Sequence, residues 1–306
     1  MVTKVKEKRL QYLDTLELTS DSFRSKTHET YYRRSIAKHK NITKLISILS
    51  VLRNENTKKK YWKTFHCNRV LLQDGLLLKG SLCRKRWCTN CSRIRTAELT
   101  NGYKQPLLDL GELYFVTLTA PTVEARELKS EIRKRITVFQ KVKDNLRKTY
   151  NIKLNGIRKL EITYNQETNK YHPHFHFIQS NLNDCNKLLE LWLNYMPKAG
   201  KKGQNSKIVN TENENSFIEL FKYATKETTK DGVQYAPEVL HTIYTALEGF
   251  RIFQTYGKIR KVKRPIKAKN EVNEVDFISP KNEIWLYDQD YKDWINVNGE
   301  FLVDIG

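Results

Sequence analysis

The stretch "GIRKLEITYNQETNKYHPHFHFI", residues 156–178, decides the fold. "GIRKLEITY" and "YHPHFHFI" read as two strands, and the polar "NQETNK" between them reads as the turn of a hairpin. In the second strand His172, His174 and His176 fall on alternate positions, so they share one face. Pairing the hairpin symmetrically about its turn sets Glu161 opposite His174 or His176, within cross-strand contact. Two neutral imidazoles and one carboxylate leave coordination positions open for water or a phosphate oxygen. That donor set suits Mg²⁺ or Mn²⁺ in a hydrolytic or transfer site. His172, set off from the pair by Pro173, is a further candidate ligand. The competing reading leaves these histidines on a solvated sheet face.

Around this hairpin lies a chain of 306 residues with 39% apolar content, 16 Tyr and 12 Phe, enough to bury a sizeable core. Lys and Arg number 55 against 34 Asp and Glu, a net charge of +21. Such an excess calls for a polyanion, and nucleic acid or an anionic membrane surface are the two candidates. The apolar runs "YFVTLTA" and "GLLL" are too short to cross a bilayer, and "MVTKVKEKRL" lacks the apolar centre of a secretory signal. A soluble, cytoplasmic protein with no membrane partner is expected. Five cysteines in a reducing compartment read as metal ligands or packed thiols rather than as a disulfide frame.

The first sixty residues are basic, and Ile42, Leu45, Ile46, Leu49 and Leu52 recur at helical spacing, which predicts helices with a solvated basic face. From Tyr61 to Arg95 the pattern turns to short β-like pieces broken by "DG", "KG" and four cysteines. "LYFVTLTAP" reads as a buried strand ending at Pro121. Leu128, Ile132, Ile136, Phe139 and Leu146 trace an amphipathic helix to about Tyr150. Cys185, Leu188, Leu189 and Trp192 mark another helix, closed by Pro197, with Cys185 as packing. A Gly/Lys loop leads to a short strand, then to a helix around "SFIELFKYATKETTK". Pro237 opens one more helix, followed by the strand "FRIFQTYG". The run "KIRKVKRPIKAK" reads as a basic linker, and an aromatic β tail follows from Glu271. The domain organisation expected is 1–60 basic and helical, 61–104 cysteine-rich, 105–262 catalytic, and 263–306 linker and tail.

In the helix from about Asn215 to Thr228, Phe217, Leu220, Phe221 and Ala224 form the buried stripe. Glu219, Tyr223, Lys226 and Lys230 then share another face, an acid, a phenol and two ammonium groups in one row. A phenol is a poor nucleophile near neutrality because its proton leaves only near pH ~10. Neighbouring cations and a polarised phosphate favour the phenolate. Taken alone, the row also reads as an ordinary exposed helix face.

Cys83, Cys88 and Cys91 stand in "CRKRWCTNC", with Cys67 upstream after "FH". A Cys-x-x-Cys knuckle with further cysteines nearby is a zinc signal, and four thiolates make a closed tetrahedral site. His66 is the alternative to Cys67 as fourth ligand. Arg84, Lys85, Arg86, Arg93 and Arg95 crowd this module, which is expected to grip a DNA backbone.

"YFVTLTAP", "YHPHFHFI" and "ELFKYATK" occur in the order of the first, metal and nucleophile motifs of the HUH-type rolling-circle replication initiators. The chain resembles those plasmid Rep proteins, particularly the ones with a cysteine cluster ahead of the catalytic core, over about Tyr61 to Gly257. The resemblance implies an α+β fold with a central antiparallel sheet of HUH endonuclease type and flanking helices, beside a small zinc module and a basic helical N-terminus. It implies a single-strand DNA endonuclease and ligase in which Tyr223 attacks the scissile phosphate and keeps the 5′ end as a phosphotyrosine ester. His174, His176 and Glu161 would hold the catalytic Mn²⁺ or Mg²⁺, and Zn²⁺ would be structural. Lys226 would neutralise charge near the tyrosine, and Glu219 would serve as base for a water that ends the cycle. The partners implied are single-stranded or hairpin DNA at a replication origin and the host replication machinery.

An HUH transposase or a mobilisation relaxase would share this chemistry. A zinc-dependent DNA-binding regulator would need no Tyr223. An iron oxygenase would use the same two histidines and carboxylate but leaves the basic charge without a role.

Overall fold

The computed structural model describes the backbone of residues 21–74, 77–212, 220–221, 227–229, 231–262 and 283–303, with side chains for the same residues apart from 21–30 and 74–79. The chain divides into two units, Met1–Ser92 with Arg264–Gly306, and Arg93–Lys263. The class is α+β, and all the strand pairings described are antiparallel.

In the first unit, helices α1 (Asp21–Val51) and α2 (Glu55–Phe65) precede strands β1 (Val70–Asp74) and β2 (Leu77–Gly80). Helix α3 (Thr89–Leu108) then carries the chain into the second unit. Tyr31, Ile42, Leu71, Trp285, Tyr287, Trp294, Leu302 and Val303 make the first unit's core, with Phe65 packed against it.

Residues 1–20 lie outside the described residues; from Asp21 on the N-terminal region is helical as expected, but its buried face is different. Ile48 is buried while Ile46 is exposed, and Lys38 and Lys44, expected on a solvated side, are 1% and 3% exposed. Their ammonium groups are buried because each donates to backbone carbonyls, Lys38 to Phe65 O and Cys67 O and Lys44 to Trp87 O. Arg93 and Arg95, read among β-like pieces, stand on α3 instead.

The second unit is built on the hairpin. Its elements are β3 (Leu113–Leu118), α4 (Leu128–Tyr150), β4 (Gly156–Asn165), β5 (Lys170–Ser180), α5 (Leu182–Tyr195), β6 (Asn205–Ile208), α6 (Pro237–Ala246) and β7 (Phe253–Tyr256). The sheet order is β6-β3-β5-β4-β7, with the hairpin strand β5 at its centre. Gly156 opens β4 where no side chain fits, since an added Cβ would lie 1.8 Å from Ile178 O. Two strands close the chain, β8 (Glu283–Asp288) and β9 (Asp293–Asn296). They return to the first unit, where the small sheet runs β2-β1-β8-β9.

The alternation of β5 divides its side chains between two layers. Phe175 and Phe177 meet Phe139 of α4 at ring-centroid distances of 5.7 and 5.9 Å, and Trp192 of α5 meets Phe175 at 5.9 Å. On the histidine face, Leu107, Leu113, Ile157, Ile178, Leu220, Phe221 and Ile259 form a second apolar layer. Along α4 the stripe reads Leu128, Ile132, Arg135, Phe139, Val142, Leu146, so Arg135 takes the core position expected of Ile136. Its stem fills the turn while its guanidinium donates to Pro173 O and, at 2.6 Å, to Pro121 O. Burial pulls this guanidinium down to about 10, against the opposing pull of Glu131. No helix among the described residues is long and apolar enough to cross a membrane.

Candidate functional site

The hairpin register puts Glu161 directly opposite His174 and Lys159 directly opposite His176. Thr117 of β3 faces His176 from the other side. Because paired residues share a face, five polar side chains crowd one patch of an otherwise apolar layer. His174 Nε2 lies 3.1 Å from His176 Nε2, and His176 Nε2 lies 3.6 Å from Glu161 Oε2. Glu161, His174 and His176 offer ligand atoms that all lie within 4.8 Å of one another.

The protonation pattern follows from the partners. His174 Nδ1 faces His172 O at 3.0 Å, and since a carbonyl only accepts, that nitrogen carries the ring proton and leaves the lone pair on Nε2. Burial pushes His174 down to about 4, against the pull of Glu161, so the ring is neutral near pH 7. For Glu161 burial pushes upward, but the Lys159 ammonium at 2.7 Å, with the two imidazoles, outweighs it and holds the carboxyl below its ordinary value. Two ring nitrogens at 3.1 Å need a proton or a cation between them. A carboxylate oxygen and two imine nitrogens aimed at one point are donors that fit a divalent ion with open positions.

His172 is not part of this group. Its ring stacks on His174 at 5.0 Å, and its carbonyl orients the His174 ring. Lys159 is a site residue that the sequence reading does not name, although strand alternation puts it on the face of Glu161. The pairing of Lys159 with His176 is the signal that finds it.

Tyr223, Glu219, Lys226 and Lys230 lie outside the described residues. Leu220 and Phe221, which lie between Glu219 and Tyr223 in the sequence, are buried on the histidine face of the sheet. Phe221 stacks on Tyr103 at 5.9 Å and tilts against Phe253 at 5.7 Å, and its carbonyl accepts from Thr96 Oγ1 at 3.0 Å.

In the first unit, Cys67, Cys83, Cys88 and Cys91 also gather within 4.8 Å. Cys67 follows α2, Cys83 follows β2, and Cys88 and Cys91 bracket the start of α3. Sulfur separations are 3.5 Å for Cys67 to Cys91 and 3.7 Å for Cys83 to Cys91. A tetrahedron with metal–sulfur arms of about 2.3 Å has edges of about 3.8 Å, so the spacing fits zinc. Backbone N–H groups of Cys83 and Arg84 point at Cys67 Sγ and Cys91 Sγ, at 3.4 and 3.3 Å, as they do for thiolates. Arg84 bends this knuckle with a φ of 55°, in the left-handed region. It is Cys67 that joins the group, while His66 stacks on Trp62. Arg84 and Arg86 are exposed beside the cluster, Lys85 is half-buried over the Trp87 ring, and Arg93 is exposed and Arg95 half-buried on α3.

A family model described as "Replication protein" matches residues 75–180. That span takes in Cys83, Cys88, Cys91, Glu161, His174 and His176. The chain resembles the Rep replication proteins. A "Protein rep" of Staphylococcus aureus is 31% identical over 112 residues, 35% of this chain and 48% of that protein. Another, of Bacillus amyloliquefaciens, is 31% identical over 107 residues, 33% of this chain and 31% of its own length. A "Protein rep" of Lactiplantibacillus plantarum is 27% identical over 222 residues, covering 62% of this chain and 68% of that protein. The Rep-like stretch thus spans about half or less of the first two relatives. No solved structure matches the chain.

Proposed function

We propose that this chain is a rolling-circle replication initiator that cuts and rejoins single-stranded DNA at a plasmid origin. The observation that carries this reading is the convergence of Glu161, His174 and His176 on the sheet face against which Phe221 packs, two residues before Tyr223 in the sequence. In this reading the Tyr223 phenol oxygen bonds to the scissile phosphorus, and the bond from phosphorus to the 3′ oxygen breaks. The phenol gives up one proton and the departing 3′ oxygen gains one, so a 3′ hydroxyl is freed for a polymerase. The phosphodiester becomes a phosphotyrosine ester of similar energy, and return of a 3′ hydroxyl reseals the strand without ATP. Glu161, His174 and His176 would hold Mn²⁺ or Mg²⁺, which supplies a positive charge to a non-bridging phosphate oxygen. Lys226 would offset negative charge near the phenol, and Glu219 would take a proton from the water or hydroxyl that releases the enzyme.

The four cysteines would hold a structural zinc, and Arg84, Lys85, Arg86, Arg93 and Arg95 would contact phosphates of the DNA. The host replication machinery would then extend the freed end. The test is incubation with labelled single-stranded origin oligonucleotides and Mn²⁺. A covalent protein–DNA adduct is expected that Tyr223→Phe abolishes and chelation prevents. An adduct that survives Tyr223→Phe would remove the phenol from the chemistry, and no adduct with any origin strand would leave a non-catalytic DNA-binding protein.

A further inference from the structure

Lys38 sits on α1 with 1% of its surface exposed, an unusual place for an ammonium group. Its Nζ donates to Phe65 O at 2.8 Å and to Cys67 O at 2.5 Å, and it faces the Tyr287 ring at 5.5 Å. All three partners are electrically neutral. Burial works against the ammonium and pulls its pKa down to about 8, while the charge of Cys67, Cys88 and Cys83 supports it and that of Arg69 opposes it. A buried cation is costly unless an anion accompanies it. Four protonated thiols would supply none. Four thiolates around a divalent ion leave two negative charges over, and such a centre in an apolar unit needs a cation as much as Lys38 needs an anion.

We propose that Lys38 is the resident counter-charge of a tetrathiolate metal centre formed by Cys67, Cys83, Cys88 and Cys91, so that the seating of α1 depends on metal occupancy. This rests on reading the four cysteines as a zinc site. It gives the basic N-terminal helix a task that its sequence pattern does not show: α1 supplies charge to ligands that come from α2, the bend after β2 and the start of α3. Lys44 of the same helix donates to Trp87 O at 2.9 Å, the carbonyl just before Cys88, and brings a second buried ammonium to the module. Lys38 acts through the ligands and does not ligate the metal, so it is a positioning residue.

The experiment uses the full chain, stripped of metal and titrated with Zn²⁺ against a competing chelator, with Co²⁺ as a spectroscopic probe. Wild type is expected to bind zinc at the four thiolates, told apart from any ion at Glu161, His174 and His176 by the thiolate-to-metal absorption of tetrahedral Co²⁺. Lys38→Met is expected to bind zinc about 10–100-fold more weakly with an unchanged Co²⁺ spectrum, while Lys38→Arg keeps most of the affinity. In the metal-free state Lys38→Met should melt no lower than wild type, because an uncompensated buried charge has been removed. Hydrogen exchange of wild type should show residues 31–51 losing protection when zinc is withdrawn, a readout that requires no variant to fold. Equal zinc affinity in Lys38→Met, equal destabilisation of the metal-free and zinc-bound forms, or unchanged protection of α1 would each overturn the role of Lys38. Failure of wild type to bind zinc would instead overturn the cysteine reading, and the proposal with it.

Discussion

Lys159 Nζ and Glu161 Oε2 lie 2.7 Å apart in a layer where both side chains are almost fully buried. The same carboxylate oxygen is 3.6 Å from His176 Nε2, so ammonium and imidazole compete for one acceptor. An ion bound by Glu161, His174 and His176 would have to share Glu161 with Lys159 and bear its repulsion.

Lys159→Met should therefore bind Mn²⁺ about tenfold or more tightly than wild type. Titration calorimetry on the full chain, at a pH where Glu161 is ionised, measures this. Weaker binding would mean that Lys159 serves mainly to hold the carboxylate in place.

The three histidines should separate cleanly in the same titration. His174→Ala and His176→Ala each remove a converging Nε2 lone pair and should weaken Mn²⁺ binding at least about tenfold. His172→Ala keeps the backbone carbonyl that orients His174 and loses only the stacked ring, so its affinity should stay within about threefold. A loss in His172→Ala equal to that in His174→Ala would add His172 to the ligand set.

The hairpin was legible because strand alternation and a polar turn are local signals, and symmetric pairing about that turn already set Glu161 against a histidine. The cysteine knuckle was legible for a similar reason, its spacing being a property of one short segment. Arg135 and Lys38 were not, since their burial depends on carbonyls of Pro173 and Cys67 that distant segments supply. The closing strands read as an added β element, but nothing local shows that Trp285 would donate to Gln73, 212 positions earlier. Chain pairings of that separation are set by whole-unit packing.

Tyr287 gives the first unit a dependence on alkaline pH. Burial raises its phenol to about 12, with Asp293 and Asp288 adding to the rise and Ser35 opposing it. The unfolded chain loses this proton near pH ~10, so between roughly pH 10 and 12 the folded state binds more protons than the unfolded one. Stability is then fully present below pH ~10 and should fall by roughly 2–3 kcal/mol as pH rises through the folded value. Denaturant melts of wild type and Tyr287→Phe across this range isolate the effect, because the lysines titrate alike in both. Parallel curves would show that the Tyr287 phenol ionises as freely in the fold as in the open chain.

Phe139 backs the site from the opposite side of the sheet. It is 1% exposed and touches both Phe175 and Phe177, the two residues that alternate with His174 and His176. Phe139→Ala should cost about 3–5 kcal/mol, since a ring is lost from a layer that α4 and the sheet cannot close over. The void also frees β5 to shift, and a shift of that strand moves both imidazoles together. Mn²⁺ affinity should therefore fall with stability, and Phe139→Leu, which refills most of the space, should recover much of both. Thermal melts paired with Mn²⁺ titration decide the matter. A variant that loses stability while keeping full Mn²⁺ affinity would show that the hairpin's pairing with β3 holds the imidazoles without support from α4.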